Sequence, residues 1–342
     1  MDKTVVGIKD IQFYVPPTIQ DSRYIAEKSG IPLQTIEEKF GIKQRHKAGP
    51  AEHVSDMAVA AARKILAGID PAEIDLVVYC GSEYKDYYLF NLAAKVQHAI
   101  GARNANAFEI HSLCSAGVLS LNILKSMMLC NPELKNVLLV SSSKETDLIG
   151  LDNPRARFMF NFGDGASAAL LVKGHPGNRI LSTHMITDGQ FAEDVASYGV
   201  GSRNYYEKEV LDYPLRNLDV RDPVGMKERL DPISLNNFIE VIGKAAEKSG
   251  YKTTDIKFIA PIFMKRSILA HILDHFGLKE ENSFILEDYG HCQSADAYIA
   301  LAEAAKLGRL KDGDLAVMLG AGTGYTWAAT AILWGNPKEQ TI

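Results

Sequence analysis

The chain has 342 residues, with 37 basic against 42 acidic side chains and a formal charge of −5. The basic residues are scattered, so neither a nucleic acid nor an anionic membrane surface is indicated as a partner. With 46% hydrophobic and 23% charged residues, the composition is that of a globular protein, which excludes a disordered or fibrous chain.

The N-terminal stretch MDKTVVGIKDIQFYVPP lacks the apolar core of a leader peptide and predicts a first strand. No apolar run of about 18 residues is evident, so no membrane-spanning helix is expected. VSDMAVAAARKILAGI (54–69) has helical periodicity, and DLVVYCGS (75–82) reads as a buried strand. FEIHSLCSAGVLSLNILKSMM (108–128) reads as a strand, a tight turn and a buried helix, with Cys114 in the turn. NVLLVSSS (136–143) and DLAVMLGAG (314–322) are further buried strands. This alternation predicts an α/β protein with largely parallel sheets. The polar, aromatic and irregular stretch at 202–225 belongs to a cap or substrate-tunnel insertion around 186–230. Cys80, Cys114, Cys130 and Cys292 show no CxxC spacing, which predicts reduced thiols in a cytoplasmic protein. His271 and His275 share a helix face, but HILDH lacks a third ligand, so no metal site is expected.

The chain repeats itself. VVYCGSEYK, a helix ending at Gly101 and FEIHSLC correspond to FIAPIFMKR, a helix ending at Gly277 and FILEDYGH. FGDGASAALLVKG (162–174) and GAGTGYTWAATAILWG (320–335) close the two halves alike. Two units follow, 1–174 with the nucleophile and 175–342 with the His/Asp loop. Cys114 and His291 lie 13 and 14 residues after their glycines, so a pseudo-two-fold axis would bring them together.

Cys114 stands beside a helix N-terminus, where the dipole lowers a thiol pKa. Its own backbone N–H can face an oxyanion. Small flanking residues leave room for a substrate. Asp296 follows His291 by five residues, where the loop turns into a helix. It reads either as the orienter of the His291 imidazole or as a plain helix cap.

At these residues the sequence resembles β-ketoacyl-ACP synthase III and its relatives. The resemblance rests on GIKQRHKA (41–48), SDMAVAAARKIL (55–66), FNFGDGASAALL (160–171) and GAGTGYTW (320–327), with the Cys114 turn between them. It implies a duplicated αβαβα thiolase fold with two mixed, mostly parallel five-stranded sheets, normally a homodimer. It also implies acyl transfer from acyl-CoA or acyl-ACP to Cys114, with no permanently bound cofactor. The glycine of the terminal loop, Gly324, is carried over as the second oxyanion donor. Arg45, with Lys43 and Lys265, is carried over as a CoA- or ACP-binding group.

The departures redirect the chemistry. Condensing members use a Cys–His–Asn set, yet here Ile262 holds the His position and His291 the Asn position. This resembles a branch that passes an acyl group to a hydroxyl or amine through Cys, His and Asp, here Cys114, His291 and Asp296. Three other readings stand beside it: a decarboxylative C–C condensing synthase III, an HMG-CoA-synthase-like aldol enzyme using Glu83, and a non-catalytic acyl-binding partner subunit.

Overall fold

The computed structural model describes residues 4–204 and 217–336. The part of the expected insertion at 205–216 lies outside the described residues. The strands are β1 (Val6–Tyr14), β2 (Thr18–Asp21), β3 (Gln44–Lys47), β4 (Leu76–Gly81), β5 (Asn106–His111), β6 (Asn136–Ser143) and β7 (Gly165–Lys173). They continue with β8 (Arg179–Thr187), β9 (Val195–Ala196), β10 (Asp219–Val220), β11 (Ile256–Ala260), β12 (Leu315–Gly322) and β13 (Thr326–Leu333). The helices are α1 (Ser22–Ser29), α2 (Leu33–Thr35), α3 (Val54–Ile65), α4 (Leu92–Ala99), α5 (Ala116–Cys130), α6 (Pro223–Lys248), α7 (Arg266–His275) and α8 (Asp296–Lys306).

The main strands run β11-β12-β13-β8-β1-β7-β6-β4-β5, and three apolar cores hold five layers together, the middle core extending over both faces of the central helix layer. Helices α3 and α4 cover the outer face of the first-half strands, and α6 covers that of the second-half strands. Helices α5 and α8 lie in the middle, against both groups of strands. This is the αβαβα arrangement expected of a thiolase fold. The α3 pattern explains its place: Val54, Met57, Ala58, Ala61, Ala62 and Ile65 are buried on one stripe.

Two details correct the expectation of two five-stranded sheets. The sheets are joined, through one pairing of Gly7 with Arg179. The second half contributes four strands, because the segment equivalent to β5 makes a single bridge, Ile259 to Ser283. Beyond that bridge its carbonyls go elsewhere: Glu287 O accepts from the Lys43 and Gln44 N–H groups, and Tyr289 O from His46 N–H. The parallel character expected from the sequence holds at the two ends of the sheet, in β4–β5, β4–β6 and β11–β12. It gives way to antiparallel pairing in the middle.

One more correction concerns Leu113–Cys130, which by length and composition is apolar enough to cross a bilayer. Its apolarity has a simpler cause. Helix α5 sits between two sheets, so it has no broad polar face to keep, and Tyr298 Oη and Thr330 Oγ1 bond to its Gly117 and Val118 carbonyls. Gly117 lets α8 approach, since a Cβ there would lie 2.3 Å from Ser294 O.

Candidate active site

The two central helices begin in the same way. Leu113–Ser115 and Gln293–Ala295 are single 3₁₀ turns leading into α5 and α8. Each opens on a non-glycine residue in the left-handed region, Leu113 at φ 48° and Gln293 at φ 55°. Such residues cost about 1–3 kcal/mol and persist where packing dictates them. Ser294 Oγ donates to Leu113 O at 2.7 Å and ties the turns together. The matching turns correct the expected pairing of halves by three residues. Cys114 is the counterpart of Ser294, and His291 that of His111.

Cys114, His291 and Asp296 are nonetheless brought into one line. His291 Nε2 lies 3.3 Å from Cys114 Sγ, and His291 Nδ1 lies 2.6 Å from Asp296 Oδ2. Asp296 is fully buried and also accepts from Phe263 N–H and Cys292 N–H, each at 2.7 Å. Asp296 makes no cap bond to α8; its oxygens reach back to the loop instead.

The histidine loop is held by the FNFGDGAS segment. His291 N–H donates to Asn161 O at 2.7 Å, and Gly163 N–H to His291 O at 3.0 Å. The Phe162 ring meets the imidazole edge-on with centroids 4.8 Å apart. Gly163 is required here, since a Cβ would sit 2.5 Å from Tyr289 O. Asp164 anchors the segment on Ala48 N–H and on Thr146.

Burial opposes a charge on His291, but Asp296 and Cys114 at its two nitrogens carry its pKa well above the ordinary histidine value. Burial also pushes the Cys114 thiol up, against the pull of His291. Burial thus works against the lowering expected from the helix dipole. Desolvation is the largest influence on the thiol, and His291 Nε2 at 3.3 Å is the group placed to take its proton.

Cys114 opens onto a cavity of about 960 Å³. Its wall includes Ser82, Glu83, Glu145, Phe162, Gln293 and Thr323. Val195–Ser197, Val200–Ser202, Asn204, Asn217 and Leu218 line it too, so the described flanks of the expected insertion do border the cavity. Exposed Tyr87 and Tyr88 stand at its mouth. Gly324, at φ 120°, lies in the β12–β13 hairpin beside Thr323. That hairpin packs on the nucleophile turn, where a Cβ on Gly322 would lie 2.7 Å from Ser112 O.

Other expected site residues fall elsewhere. Glu83 borders the cavity, but its carboxylate is largely solvent-exposed and lies 3.4 Å from His111 Nδ1. Arg45 is corrected: it is 2% exposed, bonded to Gln20 and to the Phe160 and Phe162 carbonyls, so it reaches no surface phosphate. Burial lowers its pKa to about 10. It braces the segment that holds His291. Arg45→Met should cost about 2–4 kcal/mol in urea unfolding, because two carbonyls lose their donor, while the KM for acyl-CoA stays within a factor of about 3. Lys43 pairs with Glu287, which also pairs with Arg266, so the expected basic patch is a mixed-charge ridge from which Lys265 projects exposed.

Two groups escaped sequence reading, Glu145 and Gln293. Glu145 follows the C-terminal end of β6, the kind of position where α/β proteins place their chemistry. The motif VSSSKET gave no spacing to betray it.

Among known proteins, residues 108–189 match the family described as 3-Oxoacyl-[acyl-carrier-protein (ACP)] synthase III, and residues 246–334 match its C terminal part. The chain is 30% identical over 334 residues to a β-ketoacyl-[acyl-carrier-protein] synthase III of Clostridioides difficile, covering 97% of this chain and 99% of that protein. The priming β-ketosynthase of the R1128 polyketide pathway superposes with a TM-score of 0.84 at 26% identity, covering 98% of each chain. The 3-oxoacyl-[acyl-carrier-protein] synthase III of Aquifex aeolicus gives a TM-score of 0.82 at 24% identity, covering 96% of this chain and 100% of that one, a likeness of fold.

Proposed function

The chain belongs to the 3-oxoacyl-[acyl-carrier-protein] synthase III family, and we propose that it carries an acyl group on Cys114 and passes it to a hydroxyl or amine. The observation that carries this reading is the unbroken line Cys114–His291–Asp296. Cys114 Sγ gives its proton to His291 Nε2 and attacks the carbonyl carbon of an acyl-CoA or acyl-ACP thioester. The N–H groups of Cys114 and Gly324 receive the oxyanion. The donor thiol leaves with the proton from His291, and the acyl group remains on Cys114 as a thioester. The acceptor then loses its proton to His291 as it attacks, and Cys114 thiolate departs. Asp296 holds the imidazole with Nε2 toward sulfur.

A second reading is carbon–carbon condensation. It is favoured by the full-length relatives, whose names are those of β-ketoacyl synthases and weigh for condensation more than for heteroatom transfer. Against it stands Ile262, whose side chain brings no donor to the place where the resemblance puts a histidine. Loaded enzyme given a malonyl thioester should release CO2 no faster than about the uncatalysed rate, while hydroxyl or amine acceptors should discharge Cys114. Stoichiometric CO2 with a 3-oxoacyl product would establish condensation instead. The homodimer implied by the resemblance is retained, supported by the exposed Tyr87, Tyr88 and Leu89.

A further inference from the structure

Gly324 has no side chain to pack, and the place a Cβ would take is open space among the described residues. The direction of its N–H is therefore set by its neighbours in the β12–β13 hairpin. Tyr325, the next residue, is firmly seated. Its N–H donates to Asp188 O at 3.0 Å, and its carbonyl accepts from Asp188 N–H at 2.9 Å. Its ring stacks on fully buried Trp327 with centroids 5.6 Å apart. On another side it meets the buried Phe191 ring edge-on at 5.4 Å.

Phe191 belongs to the stretch 189–194, and α6 grips that stretch through Arg229. Arg229 Nη1 donates to Gln190 O at 3.1 Å, and Nη2 donates to the two Asp194 oxygens at 2.9 and 3.0 Å. The guanidinium carbon lies 5.2 Å from the centre of the Phe191 ring, a cation–π distance. Nε donates to Gly225 O one turn back on α6, which fixes the plane of the group. Only a flat guanidinium can serve two carbonyls, a carboxylate and a ring face at once. Asp194 is 9% exposed, whereas Arg203 and Glu193, paired on the same segment, are both exposed. The first pair is thus shielded from water and the second is not.

We propose that Arg229 is a positioning residue for the oxyanion donor: through Phe191 and Tyr325 it sets where the Gly324 N–H points as the thioester is attacked. This rests on acylation of Cys114 with Gly324 as donor, a step that the transfer and condensation readings share. A donor of this kind acts at about 2.7–3.1 Å from the oxygen as charge develops. A displacement of about 1 Å therefore shows in the rate of acylation.

The test compares two reactions of one thiol in the full chain. Acylation by saturating acetyl-CoA passes through an oxyanion, whereas alkylation by iodoacetamide needs the thiolate alone. Both are followed by intact mass, with peptide mapping to Cys114. Arg229→Met should slow single-turnover acylation about tenfold and leave Cys114 alkylation within a factor of about 2 of the wild type. Arg229→Lys, which keeps the charge, should recover part of the acylation rate. Asp194→Asn should slow acylation as well, and adding it to Arg229→Met should cost no more than a further factor of about 3. Arg203→Met should change neither reaction. Should Arg229→Met fail to fold, Arg229→Lys and Asp194→Asn carry the comparison. Equal slowing of acylation and alkylation would mean a general loosening of the cavity, and unchanged acylation would mean that the hairpin holds itself. Either result overturns the proposal with Cys114 acylation intact. A wild type that alkylates at Cys114 but acylates with no thioester would end the proposal together with the reading beneath it.

Discussion

Cys114→Ala will gain no acyl mass from any thioester, and turnover will fall by about 10⁴-fold or more. The expectation rests on how differently the four thiols are placed. Burial drives Cys80 up to about 12, and drives Cys292 well above its ordinary value, while the adjacent His291 gives its two nitrogens to Asp296 and Cys114. Cys130 is exposed near the end of α5, away from the cavity lining. Cys114 alone among them has a histidine nitrogen at hydrogen-bond distance and a cavity in front of it. Cys114→Ser keeps the bond to His291 but exchanges a polarisable sulfur for a weakly acidic hydroxyl, so loading should persist at a slow rate. Peptide mapping after incubation with acetyl-CoA locates any label. A Cys114→Ala protein labelled as fast as the wild type would end the assignment. Failure of the wild type to load with any thioester would favour an acyl-binding partner subunit.

The fold was largely legible because its signals are local. The apolar runs at 75–82, 136–143 and 314–322 became β4, β6 and β12 within a residue or two. The helix expected over 54–69 ends at Ile65, since Gly68 at φ 86° closes the turn that follows it. The line of Cys114, His291 and Asp296 was legible because a substitution pattern moved one histidine and retained its loop. What escaped depends on burial, which one-dimensional spacing does not carry. Arg45 looks like a surface cation in GIKQRHKA, yet its guanidinium is spent on carbonyls inside. Glu145 looks like a polar loop residue after a strand, yet it is buried in the cavity wall. The joining of the sheets at Gly7 and Arg179, and the loss of a strand after Ser283, were decided by long-range pairing of carbonyls, for which the sequence has no marker.

Asp296→Asn will slow transfer by about 10²–10⁴-fold without abolishing Cys114 loading outright. In the wild type the carboxylate accepts three hydrogens, from His291 Nδ1, Phe263 N and Cys292 N. An asparagine of the same shape has one oxygen and one NH2. If the oxygen serves His291, the NH2 is set against the N–H of Cys292. If it serves the backbone, the NH2 faces Nδ1 and the imidazole must present its proton to Cys114 instead. In the second case Nε2 is no longer a free base toward sulfur; in the first the tautomer is kept, but without the carboxylate's charge behind it. The lost negative charge also removes the larger of the two influences, Asp296 ahead of Cys114, that hold the His291 pKa above its ordinary value despite burial. Imidazolium will then form only at lower pH, so the pH dependence of acylation should change as well as its rate. His291→Ala should be at least as slow as Asp296→Asn. The double variant should be no slower than His291→Ala within a factor of about 3, because the carboxylate acts through the imidazole. Additive losses in that cycle, measured as single-turnover acylation rates, would mean that Asp296 works on the loop through Phe263 and Cys292 rather than on the base. A thermal melt of each variant separates the two: setting an NH2 against one of the two buried backbone N–H groups costs about 1–3 kcal/mol, and that cost appears with or without the histidine.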